Sequence, residues 1–144
     1  MLTIHRGLPG SGKSTAARKQ ANETGALHIE PDHFLLSNGA YTWSLEACCE
    51  AHRIARGILV SASRMGADII YAATCLKHKD VNDLWELYRT NFKGPIASNR
   101  FEVVDHIIPI AIHDFWDESN WQALCAKCNA AKGNRDKKII NGRQ

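Results

Sequence analysis

No uninterrupted apolar run in this chain of 144 residues approaches the roughly 20 residues that a membrane-spanning helix needs, which argues against an integral membrane protein. The opening residues also lack the long apolar stretch of a signal peptide, so we expect a cytoplasmic protein without membrane contact. Low-complexity segments and internal repeats are lacking as well. A hydrophobic content of 44% therefore favours a packed core.

A strong charge of one sign is likewise lacking, since the formal net charge is only +3. Lysines and arginines nonetheless concentrate in residues 127–144, which suits either a polyanionic partner or a solvated chain end. The five cysteines are an odd number, and no export signal is visible, so we do not expect a disulfide framework. Only Cys125 and Cys128 have the spacing of metal ligands.

Hydrophobic patterns predict strands and helices in alternation over the first two thirds of the chain. The predicted strands are residues 2–5, 26–30 and 67–74, and the predicted helices are residues 13–25, 43–65 and 81–92. This order predicts an α/β fold with a parallel sheet. A turn-rich stretch then predicts a boundary that divides the chain into residues 1–92 and 93–144, with a strand after residue 100 and a helix after Ser119.

Residues 7–15, GLPGSGKST, match the full pattern of a phosphate-binding loop between a strand and a helix. Its glycines allow backbone angles that turn amide hydrogens toward an anion, and the positive end of the following helix adds to this attraction. We expect Lys13 to reach the outer phosphates of a nucleoside triphosphate and Ser14 to hold Mg²⁺. The predicted nucleotide-binding residues are Gly7, Leu8, Pro9, Gly10, Ser11, Gly12, Lys13, Ser14 and Thr15.

Together with ALHIEPDHF (residues 26–34) and ADIIYAAT (residues 67–74), this loop resembles the phage polynucleotide kinase-like branch of the P-loop kinases. The resemblance covers about residues 1 to 90 and implies ATP as the phosphate donor. It also implies that Asp32 assists the attacking hydroxyl, although a helix-capping or turn aspartate is an equal alternative.

Members of that kinase branch continue past the third strand with an arginine-bearing lid and two more strands, whereas this chain turns to a different motif. The resemblance thus implies a shortened sheet whose first strand lies at an edge. An apolar edge strand needs a cover. The cover could be the C-terminal part of the chain or a second copy in a homo-oligomer, and without either the fold would be compromised.

A second set of polar residues begins with Asp105 and His106, continues at Asn120, and ends in LCAKCN at Asn129. Hydrolysis of a phosphodiester needs a base with a pKa near neutrality and a metal ion that relieves the developing charge. A histidine suits the first role, and a hard carboxylate ligand suits Mg²⁺ or Mn²⁺ in the second.

This set resembles the phage-type HNH endonucleases over about residues 98 to 136. The resemblance implies a small ββα-metal module with His106 as the catalytic base and Asp105 and Asn129 as metal ligands. Asn120 would hold the histidine in position. Because Asn129 stands where most members have a histidine, the resemblance favours Mg²⁺ or Mn²⁺ and makes Zn²⁺ unlikely to be the ion.

For two further features of this region we prefer a structural role over metal binding. Cys125 and Cys128 make only half of a four-ligand zinc site. We expect them to pack in a small core, with a zinc site completed by Cys75 and His78 as the remote alternative. His113 could replace a missing metal ligand, but an ordinary turn histidine is favoured.

Three functions follow from these observations. We rank first a metal-dependent endonuclease with an ATP-binding N-terminal region, because its motif set is nearly complete. Its expected substrate is nucleic acid, with DNA favoured over RNA. A nucleotide or polynucleotide kinase is the second hypothesis. The third is an inactive product of recombination that binds nucleotide or nucleic acid without turnover.

Overall fold

The computed structural model describes residues 1–37, 40–74, 77–94, 101–106, 121–124, 131–132 and 135. The elements within these ranges are, in chain order, β1 (Leu2–Arg6), α1 (Lys13–Thr24), β2 (Leu27–Ile29), a 3₁₀ helix (Pro31–Leu35), β3 (Leu36–Ser37), β4 (Ala40–Tyr41), α2 (Leu45–Arg64), β5 (Ile69–Ala73), α3 (His78–Asn91), β6 (Phe101–His106) and β7 (Trp121–Leu124). No helix in these ranges has the length and apolar character needed to cross a membrane.

The main sheet has the strand order β2-β5-β1-β6-β7. The first four strands in this order are parallel, and β7 is antiparallel to β6. β1 lies in the middle, where Ile4 pairs with Tyr71 of β5 on one side and with Val103 of β6 on the other. The predicted α/β class with a short parallel sheet is therefore confirmed.

Helices cover both faces of this sheet, as the alternation of side chains along each strand requires. On one face Ala17 and Ala21 of α1 pack against Ile70 and Ala72 of β5. On the other face α2 and α3 pack against the alternate strand residues. That larger core contains Leu2, Ile4, Ile29, Ala55, Leu59, Ala62, Ile69, Tyr71, Ala73, Val81, Leu84, Tyr88 and Val103.

Local sequence explains where the helices begin and end. The Ser44 side chain accepts a 3.0 Å hydrogen bond from the Ala47 amide and so caps the start of α2. Gly25 has a φ of 72°, and its amide donates to the Ala21 carbonyl, so the predicted end of α1 at this glycine is confirmed. α3 begins three residues before the predicted start, where the Asp80 side chain accepts a 3.2 Å hydrogen bond from the Lys77 amide and so caps the first turn.

Two features of the C-terminal part answer sequence-based expectations. β1 is not left at an edge, because β6 pairs with it in parallel, so the cover is the C-terminal part of the chain, one of the alternatives considered. The predicted boundary at residues 92–93 therefore falls within one continuous sheet. Residues 121–124 form a strand antiparallel to β6, whereas we predicted a helix. A short run such as WQAL fits either element, and the hydrogen bonds offered by β6 decide the outcome.

Candidate active site at the carboxyl edge of the sheet

The parallel strands bring several polar segments to one edge of the sheet. The phosphate loop follows the carboxyl end of β1, Glu30 follows β2, and Thr74 follows β5. Asp105 and His106 end β6, the strand on the other side of β1. In open α/β sheets, ligands bind at this carboxyl edge. The topology therefore places the phosphate loop where an active site is expected.

The phosphate loop is held in the conformation that its glycines permit. Gly10 and Gly12 have φ values of 78° and 77°, in the left-handed region that side chains disfavour. The Ser11 amide donates to the Leu8 carbonyl at 3.2 Å, which closes a turn within the loop. α1 then begins at Lys13. The first backbone amides of a helix have no acceptor within the helix, so those of α1 lie next to the loop and are free to bind an anion there.

Two side chains of the loop are buried although both are polar. Ser11 is 2% exposed and Lys13 is 7% exposed. The Ser11 hydroxyl has no hydrogen-bond partner among the residues that the structure describes. A buried polar group without a partner is unfavourable, and phosphate oxygens would supply the missing acceptor and the counter-charge. The loop therefore fits the triphosphate of a nucleotide.

Ser14, the next residue of α1, connects the loop to the end of β2. Its hydroxyl donates a hydrogen bond to Oε1 of Glu30, which is 5% exposed. The second carboxylate oxygen of Glu30 lies 3.6 Å from Nε2 of His28 and 3.2 Å from Nε2 of His33. Burial lowers the pKa of His28, and the neighbouring Glu30 partly opposes this effect. The imidazole is therefore poised to be neutral at physiological pH.

A cavity of about 390 Å³ opens between α2 and α3 at the carboxyl end of β5. Ala73 pairs with Arg6, so Thr74 on the cavity wall lies level with the start of the loop. The lining residues are His52, Arg56, Tyr71, Ala73, Thr74, Lys77, Asp80 and Leu84. The cations Arg56 and Lys77 outnumber the single carboxylate of Asp80, so the cavity suits an anionic ligand.

The predicted site residues fall into two groups. Residues 7–15 form the loop and the start of α1, and Asp32 lies exposed in the 3₁₀ helix and does not line the cavity. Asp105 and His106 end β6, but their side chains lie outside the described part of the structure.

The remaining predicted metal and nuclease positions also lie outside the described residues. They are Cys75, His113, Asn120, Cys125, Cys128 and Asn129. The roles that we predicted for them stay predictions, and so does the zinc site that would include His78.

The sequence analysis missed Glu30 and the two histidines beside it. A signal for them exists in the spacing H-x-E-x-x-H from His28 to His33. Residues two apart in a strand share a face, and a helical turn brings the third residue back beside them. The cavity residues gave no such signal, because α2, β5 and α3 are brought together only by the tertiary fold.

Comparisons with known proteins agree with this geometry. A family model described as an AAA domain matches residues 2–114. An uncharacterized protein of Pasteurella multocida is 43% identical over 68 residues, which are 42% of this chain and 38% of that protein.

Solved structures share the fold at low sequence identity. A candidate kinase from Chloroflexus aurantiacus aligns with a TM-score of 0.52 and 17% identity, over 62% of this chain and 51% of its own. A chain of a Pnkp1/Rnl/Hen1 complex aligns with a TM-score of 0.52 and 20% identity, over 71% of this chain and 33% of its own. A chain of the Pnkp1/Rnl/Hen1 RNA repair complex aligns with a TM-score of 0.58 and 19% identity, over 98% of this chain and 45% of its own.

The chain thus spans about half or less of the length of these relatives. The solved structures show the fold of the chain, and one of them is itself described as a candidate kinase. The family match includes the phosphate loop and all four parallel strands. This chain therefore belongs to the AAA domain family and has the α/β fold of a P-loop, kinase-like domain.

Proposed function

We propose that this protein is a P-loop phosphotransferase that moves the γ-phosphate of a nucleoside triphosphate to a hydroxyl at a nucleic-acid end. The observation that carries the proposal is the phosphate loop at the carboxyl edge of the sheet. There Lys13 is buried, and the buried Ser11 hydroxyl has no hydrogen-bond partner within the described part of the chain, so both groups suit an anion. ATP is the donor that the resemblance to polynucleotide kinases implies.

In the proposed reaction the acceptor hydroxyl oxygen attacks the γ-phosphorus. The bond from that phosphorus to the bridging oxygen breaks, and the nucleoside diphosphate leaves with the electron pair. The acceptor end extends from the cavity toward the phosphate loop, and there its hydroxyl proton passes to a base, for which the exposed Asp32, outside the cavity lining, is our candidate. Lys13 and the amides of the loop bind the phosphate oxygens and stabilise the negative charge that develops on them during transfer. Mg²⁺ bound with the triphosphate would neutralise further charge, and Ser14 is the residue that would hold it.

The cavity between α2 and α3 is our proposed acceptor site. Its volume of about 390 Å³ lies within the usual range for ligand sites. Arg56 and Lys77 suit the phosphodiester that follows a 5′-terminal nucleoside, because guanidinium and ammonium groups bind phosphate strongly. The likeness of the fold to a chain of an RNA repair complex supports a polynucleotide acceptor.

Calorimetry with a non-hydrolysable ATP analogue and Mg²⁺ tests nucleotide binding. We expect one analogue to bind per chain and binding to be lost in Lys13→Ala. Lys19→Ala is the matched control, because Lys19 is an exposed lysine of the same helix. Failure of the folded wild-type chain to bind the analogue would rule out the proposal.

A second candidate function is the metal-dependent endonuclease, with residues 93–144 as its module and Mg²⁺ or Mn²⁺ as its ion. The specific observation in its favour is the antiparallel pairing of β6 with β7, which is the hairpin that a ββα module requires. Asp105 pairs with Gln122 and His106 pairs with Trp121, the residue after Asn120. The backbone therefore brings the first two motif segments together.

Nicking of supercoiled plasmid DNA in the presence of Mn²⁺ tests this second function. An endonuclease that uses His106 as its base loses nicking in His106→Ala and keeps it in His52→Ala. Equal nicking by His106→Ala and the wild type would eliminate His106 as the base. Nucleotide binding without either phosphate transfer or nicking would instead favour the hypothesis of a binding protein without turnover.

A further inference from the structure

Three side chains that follow one another in the sequence converge beside the phosphate loop. His28 lies in β2, Glu30 follows that strand, and His33 lies in the 3₁₀ helix. One ligand atom from each residue lies within 4.8 Å of those from the other two. We call these residues the His28–Glu30–His33 cluster. Two imidazole nitrogens and one carboxylate oxygen form a donor set that binds divalent transition ions.

The cluster is buried on the side of the carboxylate and open on the side of His33. Glu30 is 5% exposed, whereas the His33 side chain is 44% exposed, so an ion could enter from solvent. Oε2 of Glu30 and Nε2 of His28 are both buried, and neither has a hydrogen-bond partner among the residues that the structure describes. Unsatisfied buried polar atoms are unfavourable, and a metal ion bound between them would satisfy both.

Ordinary ion pairing of the histidines with Glu30 is the alternative explanation of the cluster. The approach of each histidine to the carboxylate does not satisfy the geometry of a hydrogen bond to Oε2. Ion pairing therefore leaves the buried atoms unsatisfied.

Two of the three distances between the ligand atoms are close to those around a tetrahedral ion. Ligand atoms at about 2.0–2.1 Å from zinc lie about 3.3–3.4 Å from one another in a tetrahedral site. Oε2 of Glu30 is 3.2 Å from Nε2 of His33 and 3.6 Å from Nε2 of His28, values on either side of that separation. Three protein ligands also leave one position open for water or a substrate oxygen.

We propose that His28, Glu30 and His33 bind one divalent transition ion of the zinc class. This ion is distinct from Mg²⁺ bound with the nucleotide, because imidazole nitrogens are softer ligands than Mg²⁺ selects. It is also distinct from the ion of the endonuclease motif, whose residues lie on other segments of the chain. Glu30 connects the ion to the phosphate loop, since its other oxygen accepts the hydrogen bond of Ser14.

Zinc titration of the full chain, stripped of metal with a chelator, tests this proposal by calorimetry. We expect the wild type to bind one zinc ion more than Glu30→Gln or His33→Gln binds, or to bind it at least about tenfold more tightly. Glu23→Gln and His52→Gln are matched controls on α1 and α2, and both should bind zinc as the wild type does.

His33→Gln is the decisive variant, because His33 is exposed and its replacement should leave the chain folded, as circular dichroism can show. Equal zinc stoichiometry and affinity in folded His33→Gln and the wild type would overturn the proposal, as would no binding by the wild type. Cobalt substitution adds a second readout. A thiolate-to-cobalt absorption band that is lost in Cys125→Ser, with no signal dependent on His33, would place the ion at the cysteines and also overturn it.

Discussion

The Ser14 hydroxyl at the start of α1 donates a hydrogen bond to the buried carboxylate of Glu30 at the end of β2. This contact joins the phosphate loop to the strand at the far side of β5. It also holds the hydroxyl that we expect to bind Mg²⁺ beside the His28–Glu30–His33 cluster. The nucleotide site and the proposed transition-metal site are therefore neighbours that share one carboxylate.

Gly10 has a left-handed backbone and Gly57 a helical one, and this difference predicts opposite effects of alanine at the two positions. Gly10→Ala should lower the free energy of unfolding by about 1–2 kcal/mol, because a side chain disfavours its φ of 78°. No atom of the residues that the structure describes lies within 4 Å of the added methyl group, so the expected effect is that of backbone strain. Gly57→Ala in α2, also with open space around it, should instead raise stability by about 0.4–1 kcal/mol. Chemical denaturation measures both changes, and destabilisation by Gly57→Ala would contradict this account.

β6 lies next to β1, although the sequence predicts a domain boundary at residues 92–93 between them. We therefore expect a residue of β6 to stabilise the part of the fold that holds the phosphate loop. Val103→Ala should lower the free energy of unfolding by about 2 kcal/mol, because Val103 is fully buried in the larger core. Val104→Ala is the control, since Val104 lies on the other face and is only partly buried. Equal, small effects of the two substitutions on cooperative unfolding would show that residues 93–144 fold apart from the sheet.

The charge of the cavity predicts a selective defect in acceptor binding. Arg56→Ala should raise the KM for a 5′-hydroxyl oligonucleotide roughly tenfold or more, as the loss of a hydrogen bond to a charged group implies. The KM for ATP should stay unchanged, because Arg56 lines the cavity and not the loop. Arg53→Ala is the matched control on the same helix, where Arg53 pairs with Glu50 at the surface. A rise in the KM for ATP alone would exclude the cavity as the acceptor site.

Buried His5 predicts that stability depends on pH. Burial lowers the pKa of His5 below its ordinary value of 6.5, and the hydrogen bond with Gln20 opposes this effect. The unfolded chain then binds more protons at His5 than the folded chain does between the two pKa values. Stability is therefore complete above about pH 7.5 and falls as the pH drops through 6.5.

Comparison of His5→Gln with the wild type isolates this contribution. The loss of unfolding free energy between pH 7.5 and 5.5 should be smaller in the variant, while other groups, including the nearby His28, contribute equally to both proteins. An unchanged pH dependence in His5→Gln would contradict the assignment to His5.

Sequence reasoning worked where local chemistry decides the structure. The phosphate loop, the end of α1 at Gly25, and the buried strand β5 follow from glycine conformations and short apolar runs. Each of these features depends on residues that are close together in the sequence. The same reasoning named the loop residues of the candidate site, because a phosphate-binding loop is specified by its own short sequence pattern. Their role in binding stays a prediction.

Sequence reasoning failed where partners far apart in the chain decide the structure. The pairing of β6 with β1 joins Val103 to Ile4, about 100 residues away. Nothing within either segment specifies that contact. The strand at Trp121–Leu124 likewise depends on β6. The cavity that we propose as the acceptor site combines α2, β5 and α3, so only the tertiary fold reveals it.

Transfer of labelled γ-phosphate from ATP to a 5′-hydroxyl oligonucleotide tests the central claim most directly. The account predicts transfer by the full chain in the presence of Mg²⁺, loss of transfer in Lys13→Ala, and wild-type transfer in Lys19→Ala. DNA and RNA acceptors of the same sequence identify the preferred polymer. Binding of the nucleotide with no transfer to either polymer, or equal transfer by Lys13→Ala and the wild type, would contradict the account.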